Sequence, residues 1–506
     1  MIERGPQLVI IGIDGASHRL VRGWSAAGKL PILSSLAASD RQTPLLTAFP
    51  PHTAPGWASI FSGVGPGEHG IYQFWELQAR NYRPSLTTVG DFGREPLWRI
   101  LERSGLSVGL YNVPMTHPPA PIQNGFMVTW PLTPTLGYAF PRTLIHELAQ
   151  RGLHYKSDLV TMYREDSDYI SVALEQIERK TDTLLYLLES HPVDALFAVY
   201  TELDRVSHCY WGTDEQPGPE VAEVYRAIDD ALGRLLDALD PDVPVLIVSD
   251  HGFGLCRSNL NVNVLLEQAG LLRCRAPVGD GPREQQRTGV FGDADLALSA
   301  GWFASPDAAR VVDWTQTRAY MPAPGCFGIN LNLRGRQRNG IVRDEQESAA
   351  VAKEIADAVA SVRIENEPAF VVVPRDDVYK GHRLDQAPDL ILLPQRWDIM
   401  PAPSVATNLW TSPTQAGVHR EDGILFAKNF RLTPSFAGHR VEDIVPTCLA
   451  RLGLPIPEQL DGHVLEEGCR SLVSEPARRV SRTAPQVQNL ADQVQIEKRL
   501  AQLGYL

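Results

Sequence analysis

The sequence predicts an α/β protein built on a mostly parallel central sheet. Three observations lead there. Residues 8–13, 194–200 and 243–248 are short, continuous apolar runs, the pattern of strands buried on both faces. Each run is followed by an acid: Asp14, Asp204 and Asp250. Segments of helical periodicity fill the intervals between runs, and open α/β sheets carry their chemistry at the carboxyl ends of their strands.

The chain has 506 residues. That length suits about three domain equivalents, and equally one large α/β domain with insertions. Its hydrophobic fraction of 43% and charged fraction of 21% are those of an ordinary globular protein with a sizeable core. A net charge of −13 and a pI near 5.5 argue against a general binder of nucleic acid or anionic membrane. A small phosphate substrate stays open, because bound divalent cations would dominate the local field. No apolar stretch approaches the length of a transmembrane span, and residues 1–6 run straight into a strand without the pattern of a secretory signal. The six cysteines are scattered without CxxC spacing, which reads as reduced thiols in a cytoplasmic protein.

In chain order, residues 8–14 form the first strand and 30–38 a short helix. Residues 53–62 begin another helix, with Pro55 in its first turn, where a missing N–H is harmless. An amphipathic helix over 95–104 leads to a strand over 107–113. Residues 114–135 contain six prolines and read as an ordered surface loop. Long amphipathic helices are expected over 168–189 and 220–239, the first facing inward through Ile170, Ala173, Ile177 and Leu184. Residues 276–301 are rich in Gly, Asp and Arg with little periodicity, the pattern of a lid loop. Strands are expected at 328–333, 370–373 and 389–393, a helix at 347–359, a return to the sheet at 417–427, and a terminal helix within 488–506.

The chemistry-bearing residues sit in two far-separated segments, Thr201-Glu202-Leu203-Asp204-Arg205-Val206-Ser207-His208 and Ser249-Asp250-His251-Gly252. Asp204 and His208 are four apart, so on a helix they share a face and can hold one metal ion. Asp250 and His251 follow a strand end, and both reach one site only where the backbone turns. His419, before the apolar run 424–427, is the best further imidazole. Three carboxylates and three imidazoles suffice for two divalent ions, and mixed His/Asp ligation suits Zn²⁺ or Mn²⁺ better than Mg²⁺ or Ca²⁺. Thr53 stands at a helix start, where its hydroxyl can meet a metal and backbone N–H groups can bind phosphate. At an isolated site, a helix-capping threonine is the plainer reading.

The run Thr53-Ala54-Pro55-Gly56-Trp57, followed by Ser62-Gly63, Pro66 and His69-Gly70-Ile71, resembles the nucleophile segment of the alkaline phosphatase superfamily. With Asp14, Asp-x-x-x-His, Ser-Asp-His-Gly and a late Gly-x-His, the motif order resembles the type I phosphodiesterase/nucleotide pyrophosphatase family over residues 7–470. The resemblance implies an alkaline-phosphatase-like fold. It implies one metal at Asp14, Thr53, Asp250 and His251, a second at Asp204, His208 and His419, and Thr53 as nucleophile. Many relatives carry an asparagine after the His-Gly-Ile. Phe74 falls at that position here and Gln73 is the nearest amide, so these two and Trp57 stand as candidate substrate contacts.

The expected protein is a two-metal phosphoric ester hydrolase acting on a diester or pyrophosphate through a phosphothreonine. The alternatives are a phosphomonoesterase, a phosphonate or sulfate ester hydrolase, a phosphomutase, or a binding protein on a degenerate scaffold. The expected division is a catalytic core over 1–270 and 400–470, an insertion over 271–399 and a tail over 471–506.

Overall fold

The structure, a computed structural model, describes residues 5–37, 42–82, 84–130, 137–155, 168–213, 216–276, 304–305, 310–413, 415–433, 435, 438–466 and 473–474. The expected lid loop at 276–301 lies almost wholly outside the described residues, and the terminal helix within 488–506 entirely so.

The chain divides into two compact units. The first comprises Met1–Ile71, Thr88–Leu255 and Ala416–Pro485, and the second contains Tyr72–Thr87 and Cys256–Gln415.

The first unit is built on a nine-stranded sheet. Its strands are β1 (Leu8–Ile13), β2 (Gln42–Leu46), β3 (Val108–Val113), β4 (Gly125–Thr129), β5 (Ala139–Phe140), β6 (Ala195–Tyr200), β7 (Val245–Val248), then Asp422–Lys428 and His439–Arg440. From edge to edge the order is His439–Arg440, β2, Asp422–Lys428, β7, β1, β6, β3, β4, β5. The central run β7, β1, β6, β3, β4 is parallel throughout. Asp422–Lys428 and β5 run antiparallel to their neighbours. The strands β1, β3, β6 and β7 are buried along their whole length, which is why their sequences are continuous apolar runs and not alternating ones.

Helices cover both faces. On one side lie α1 (His18–Ala26) and α2 (Pro31–Ala37); on the other, α3 (Thr53–Ser62), followed by the single turn α4 (Pro66–His69) and by α5 (Leu97–Arg103). The first side is completed by α6 (Thr143–Gln150), α7 (Tyr169–Ser190), α8 (Glu202–Tyr210) and α9 (Pro219–Asp237), the second by Ile444–Arg451. Alternate residues of β1 feed the two cores: Val9, Ile11 and Ile13 pack with the first group, Leu8 and Ile10 with the second. Each such fully buried aliphatic side chain contributes about 1.5–3 kcal/mol.

One expectation is corrected. The proline-rich stretch 114–135 is not loop throughout, since β4 runs inside it and pairs in parallel with β3. The prolines fall on either side of the strand, and Phe126–Val128 form a buried apolar core of it. Averaging proline content over the whole stretch hid a short strand between two clusters. The return to the sheet at 417–427 is two strands. Gly417–Arg420 pairs not with the central sheet but antiparallel with β8 (Gly252–Leu255).

The second unit holds an antiparallel four-stranded sheet in the order Ala319–Tyr320, Gly328–Leu331, Leu390–Pro394, Phe370–Pro374. The helix Glu345–Ser361 buries Val351, Ile355 and Val359, one turn apart, and Asp344 caps it by accepting from Glu347 N at 2.9 Å.

Candidate active site

Seven expected residues meet at the carboxyl edge of the sheet in the first unit. Asp14 follows β1, Asp204 and His208 lie on α8 just after β6, and Asp250 and His251 follow β7. Thr53 opens α3, and His419 lies on Gly417–Arg420. The pairing of that strand with β8 sets His419 opposite Phe253, two residues beyond His251. Two glycines permit the convergence. Gly15 takes φ +77°, turning the chain sharply after Asp14, and a Cβ on Gly56 would sit 2.9 Å from the Asp250 carbonyl oxygen. The first turn of α3 can therefore lie against the β7 end.

All seven residues are buried, with exposures between 0% and 8%. His419 Nε2 lies 3.2 Å from Asp204 Oδ1 and 3.0 Å from His208 Nε2. His251 Nε2 lies 3.5 Å from Asp14 Oδ1, 3.3 Å from Asp250 Oδ2 and 3.9 Å from Asp204 Oδ1. Ligand atoms of Asp204, His251 and His419 fall within 4.8 Å of one another, as do those of Asp14, Asp250 and His251.

The imidazoles are oriented alike. His208 Nδ1 faces Gly417 O at 2.9 Å, His419 Nδ1 faces Pro51 O at 3.1 Å, and His251 Nδ1 faces Gly252 O at 3.1 Å. A carbonyl oxygen only accepts, so each ring carries its proton on Nδ1 and turns the Nε2 lone pair inward. Lone pairs of His208 and His419 thus point at each other across 3.0 Å, an arrangement that a cation between or beside them relieves.

The carboxylates tell the same story. Burial and the charge of Asp204 hold Asp14 well above the usual carboxylate range, and burial with Asp14 and Asp204 does the same to Asp250. Burial pushes Asp204 up too, but His208, His419 and Arg205 outweigh it and hold the carboxyl well below its usual range. Burial and His419 keep His251 neutral, and burial lowers His419. Asp14 Oδ1 and Asp250 Oδ2 have no hydrogen-bond partner among the described residues. Buried acceptors left unsatisfied are costly, and neutral imidazoles with inward lone pairs are metal ligands by nature. The donor set fits divalent cations.

Thr53 is the first residue of α3 and does not cap it. The cap is His52, with extended backbone and Nδ1 accepting from Ala54 N at 3.1 Å. The Thr53 hydroxyl instead faces the cluster, 3.3 Å from His251 Nε2.

The three candidate substrate contacts are placed differently. Trp57 is 1% exposed, stacks on Phe61, and donates from Nε1 to Asp14 Oδ2 at 3.0 Å. Gln73 and Phe74 belong to the second unit and are each 1% exposed. The Gln73 amide donates to Pro324 O at 2.7 Å and its oxygen accepts from Phe74 N. Sequence reasoning missed Arg205, whose Nη1 donates to Asp204 Oδ2 at 3.0 Å. Its only sequence signal is adjacency to Asp204, and an Asp-Arg pair on a helix ordinarily reads as a solvated face.

A parallel sheet with acids and imidazoles at its carboxyl edge, and helices on both faces, defines an alkaline-phosphatase-like protein. The sequence pattern of the type I phosphodiesterase/nucleotide pyrophosphatase family matches residues 8–419, and the chain belongs to that family. An uncharacterised pyrophosphatase/phosphodiesterase of Schizosaccharomyces pombe is 25% identical over 269 residues, 50% of this chain and 46% of that protein. The match thus spans about half the length of that curated relative. Among solved structures, phosphonoacetate hydrolase from Sinorhizobium meliloti, in complex with phosphonoformate, superposes with a TM-score of 0.55 at 14% identity, covering 88% of this chain and 94% of its own. Murine ectonucleotide pyrophosphatase/phosphodiesterase 5 gives 0.50 at 13% identity, covering 91% and 97%. Both are similar in fold.

Proposed function

We propose that this chain is a metal-dependent hydrolase of phosphate diesters or pyrophosphates, using Thr53 as nucleophile. The observation that carries the reading is the inward convergence of His208, His419 and His251 Nε2 on three buried carboxylates, with the Thr53 hydroxyl at its edge. Asp14, Asp250 and His251 would hold one divalent cation; Asp204, His208 and His419 would hold a second. Zn²⁺ is the ion this donor set suits best, with Mn²⁺ next. When bound, the pair supplies Lewis-acid stabilisation of the attacking and leaving oxygens and an acidified water.

The chain's own residues do the rest. Trp57 fixes one oxygen of Asp14 and turns the other toward the cluster. The backbone carbonyls of Gly417, Pro51 and Gly252 hold the three imidazoles in the ligating tautomer. Thr53 Oγ1 gives its proton to solvent and forms a bond to phosphorus, while the bond to the leaving oxygen breaks on the opposite side and that oxygen takes up a proton from solvent. Water then attacks phosphorus, the bond to Thr53 breaks, and the hydroxyl is restored. Support for the substrate class comes from the family and from the yeast relative's description as a pyrophosphatase/phosphodiesterase. We assign the cytoplasm as its compartment, supported by six cysteines scattered through the sequence without CxxC spacing.

A hydrolysis screen tests the reading. Chromogenic phosphate diesters, monoesters, phosphonates and sulfates are offered with added Zn²⁺ or Mn²⁺, and metal content is measured. Diester or pyrophosphate turnover should lead, with about two ions per chain. Asp250→Asn should lose metal and activity together. Full metal occupancy in that variant, or leading turnover of a sulfate, would overturn the assignment.

A further inference from the structure

We propose that Arg205 is a positioning residue for the second cation. It fixes one oxygen of Asp204 and so aims the other at His208 and His419. The inference rests on the two-metal reading above and extends it to a residue that touches neither metal nor substrate.

Arg205 is 2% exposed, and among described residues it is one of the largest fully buried side chains. Burying a guanidinium is expensive unless it is paired and its donors are used. Two contacts among the described residues bear on its position. Nη1 donates to Asp204 Oδ2 at 3.0 Å, and the guanidinium lies over the Trp130 ring, 5.3 Å from its centroid. Trp130 is itself 2% exposed, so the cation–π contact is desolvated, where it is strongest. The guanidinium is therefore held from both sides, and Asp204 cannot rotate without breaking a charged hydrogen bond.

The consequence falls on the other carboxylate oxygen. Asp204 Oδ1 faces His419 Nε2 at 3.2 Å, His208 Nε2 at 3.5 Å and His251 Nε2 at 3.9 Å. It is the carboxylate oxygen these three rings share. The helix around it is anchored as well. Lys180, on α7, pairs with Glu202 Oε1 at 2.7 Å and donates to Thr201 Oγ1 at 3.1 Å, both contacts buried at the start of α8. Glu202 Oε2 accepts from Thr201 N at 3.1 Å. The β6–α8 turn is fixed by that ion pair, and the side chain of Asp204 by Arg205. In the other cluster, among the described residues, no guanidinium hydrogen-bonds a carboxylate: Asp14 is fixed by the neutral indole of Trp57, and Asp250 Oδ1 lies 3.4 Å from Gly15 N.

Charge and geometry predict opposite signs here, which makes the proposal decidable. A guanidinium beside a cation site repels the cation, so a purely electrostatic role predicts tighter metal binding on its removal. Lost orientation predicts weaker binding, confined to the site that Asp204 serves. A merely structural role predicts loss of fold, with both sites affected together.

The test is Co²⁺ titration of metal-free protein, followed by its visible absorption bands and by stoichiometry. Wild type, Arg205→Met and Arg205→Lys are compared. Methionine keeps an apolar stem against Trp130 without charge or donors, and lysine keeps the charge without the planar fork. In Arg205→Met the first equivalent should bind as in wild type, and the second should weaken by about 10–100-fold, the range for loss of a ligand's hydrogen-bonding partner. Arg205→Lys should recover part of that loss. Wild type that binds no Co²⁺ would sink the metal reading itself. Wild type that binds two, with Arg205→Met binding both as tightly or more tightly, would sink only the positioning role. Should Arg205→Met not fold, Arg205→Lys decides alone: wild-type affinity at both sites overturns the proposal, and selective weakening of the second upholds it.

Discussion

Thr53 is the residue on which chemistry and scaffolding can be told apart. A threonine at a helix start ordinarily invites a capping explanation, but His52 already occupies that position and the Thr53 hydroxyl faces His251. Thr53→Ala should therefore keep its fold, its melting temperature and its metal while losing several orders of magnitude in turnover. Loss of a cap would instead cost about 1 kcal/mol with activity kept. Near-normal turnover in Thr53→Ala would sink the covalent mechanism and leave a metal-activated water as the attacker. Trp57 makes the complementary point. An aromatic near the nucleophile suggests a stacking surface for substrate, yet its ring is enclosed and its N–H holds Asp14.

At the scale of elements, α3 must be held rigidly if its first residue, Thr53, is to act as the proposed nucleophile. His69, at the end of α4, does part of this. It is fully buried, its Nδ1 accepts from Ile71 N at 3.0 Å, and its Nε2 meets Ser59 Oγ of α3 at 3.1 Å. Burial lowers its pKa to about 3. The unfolded chain, with the ordinary value of 6.5, binds a proton there sooner than the folded chain does. The stability due to neutral His69 is therefore complete above pH 6.5 and is lost progressively as pH falls toward 3. Between pH 7 and 5 the loss amounts to about 2 kcal/mol. In His69→Gln, whose amide can replace both hydrogen bonds without titrating, denaturant midpoints at pH 7 and pH 5 should differ less than in wild type. Equal differences in the two proteins would show that His69 titrates freely.

For the whole molecule, the sheet edge gathers three carboxylates and three imidazoles into one buried cluster. Acceptors that face each other without protons between them oppose folding, and cations that bind only the folded state reverse this. Each site filled at 1,000 times its dissociation constant adds about 4 kcal/mol. Chelation should lower the melting temperature by several degrees, and Zn²⁺ or Mn²⁺, but not an excess of Na⁺, should restore it. A melting curve indifferent to chelator would remove the metals from the stability of the fold.

The sequence by itself determined the strands and their class. Continuous apolar runs at 8–13, 194–200 and 243–248 have one stable home, a sheet covered on both faces, and β1, β6 and β7 are adjacent at its centre. It also named the residues that gather at the sheet edge, because strand-end acids and an Asp-x-x-x-His helix can be read locally. The short strand β4 escaped, since four or five apolar residues between proline clusters carry too little local signal against their surroundings. Tertiary structure alone decided which partners hold the site in shape. His419 reaches the cluster because its strand pairs with β8, more than 160 residues earlier in the chain. The tautomers of three histidines depend on carbonyls of Pro51, Gly252 and Gly417, which only folding brings within reach for His208 and His419. Trp57 and Arg205 acquire their partners through burial, which converts a plausible stacking ring and an ordinary surface charge into supports for Asp14 and Asp204. Local spacing encodes what a side chain can do; the long-range packing of strands and helices fixes which atom it faces, and that is what separates a ligand from a neighbour.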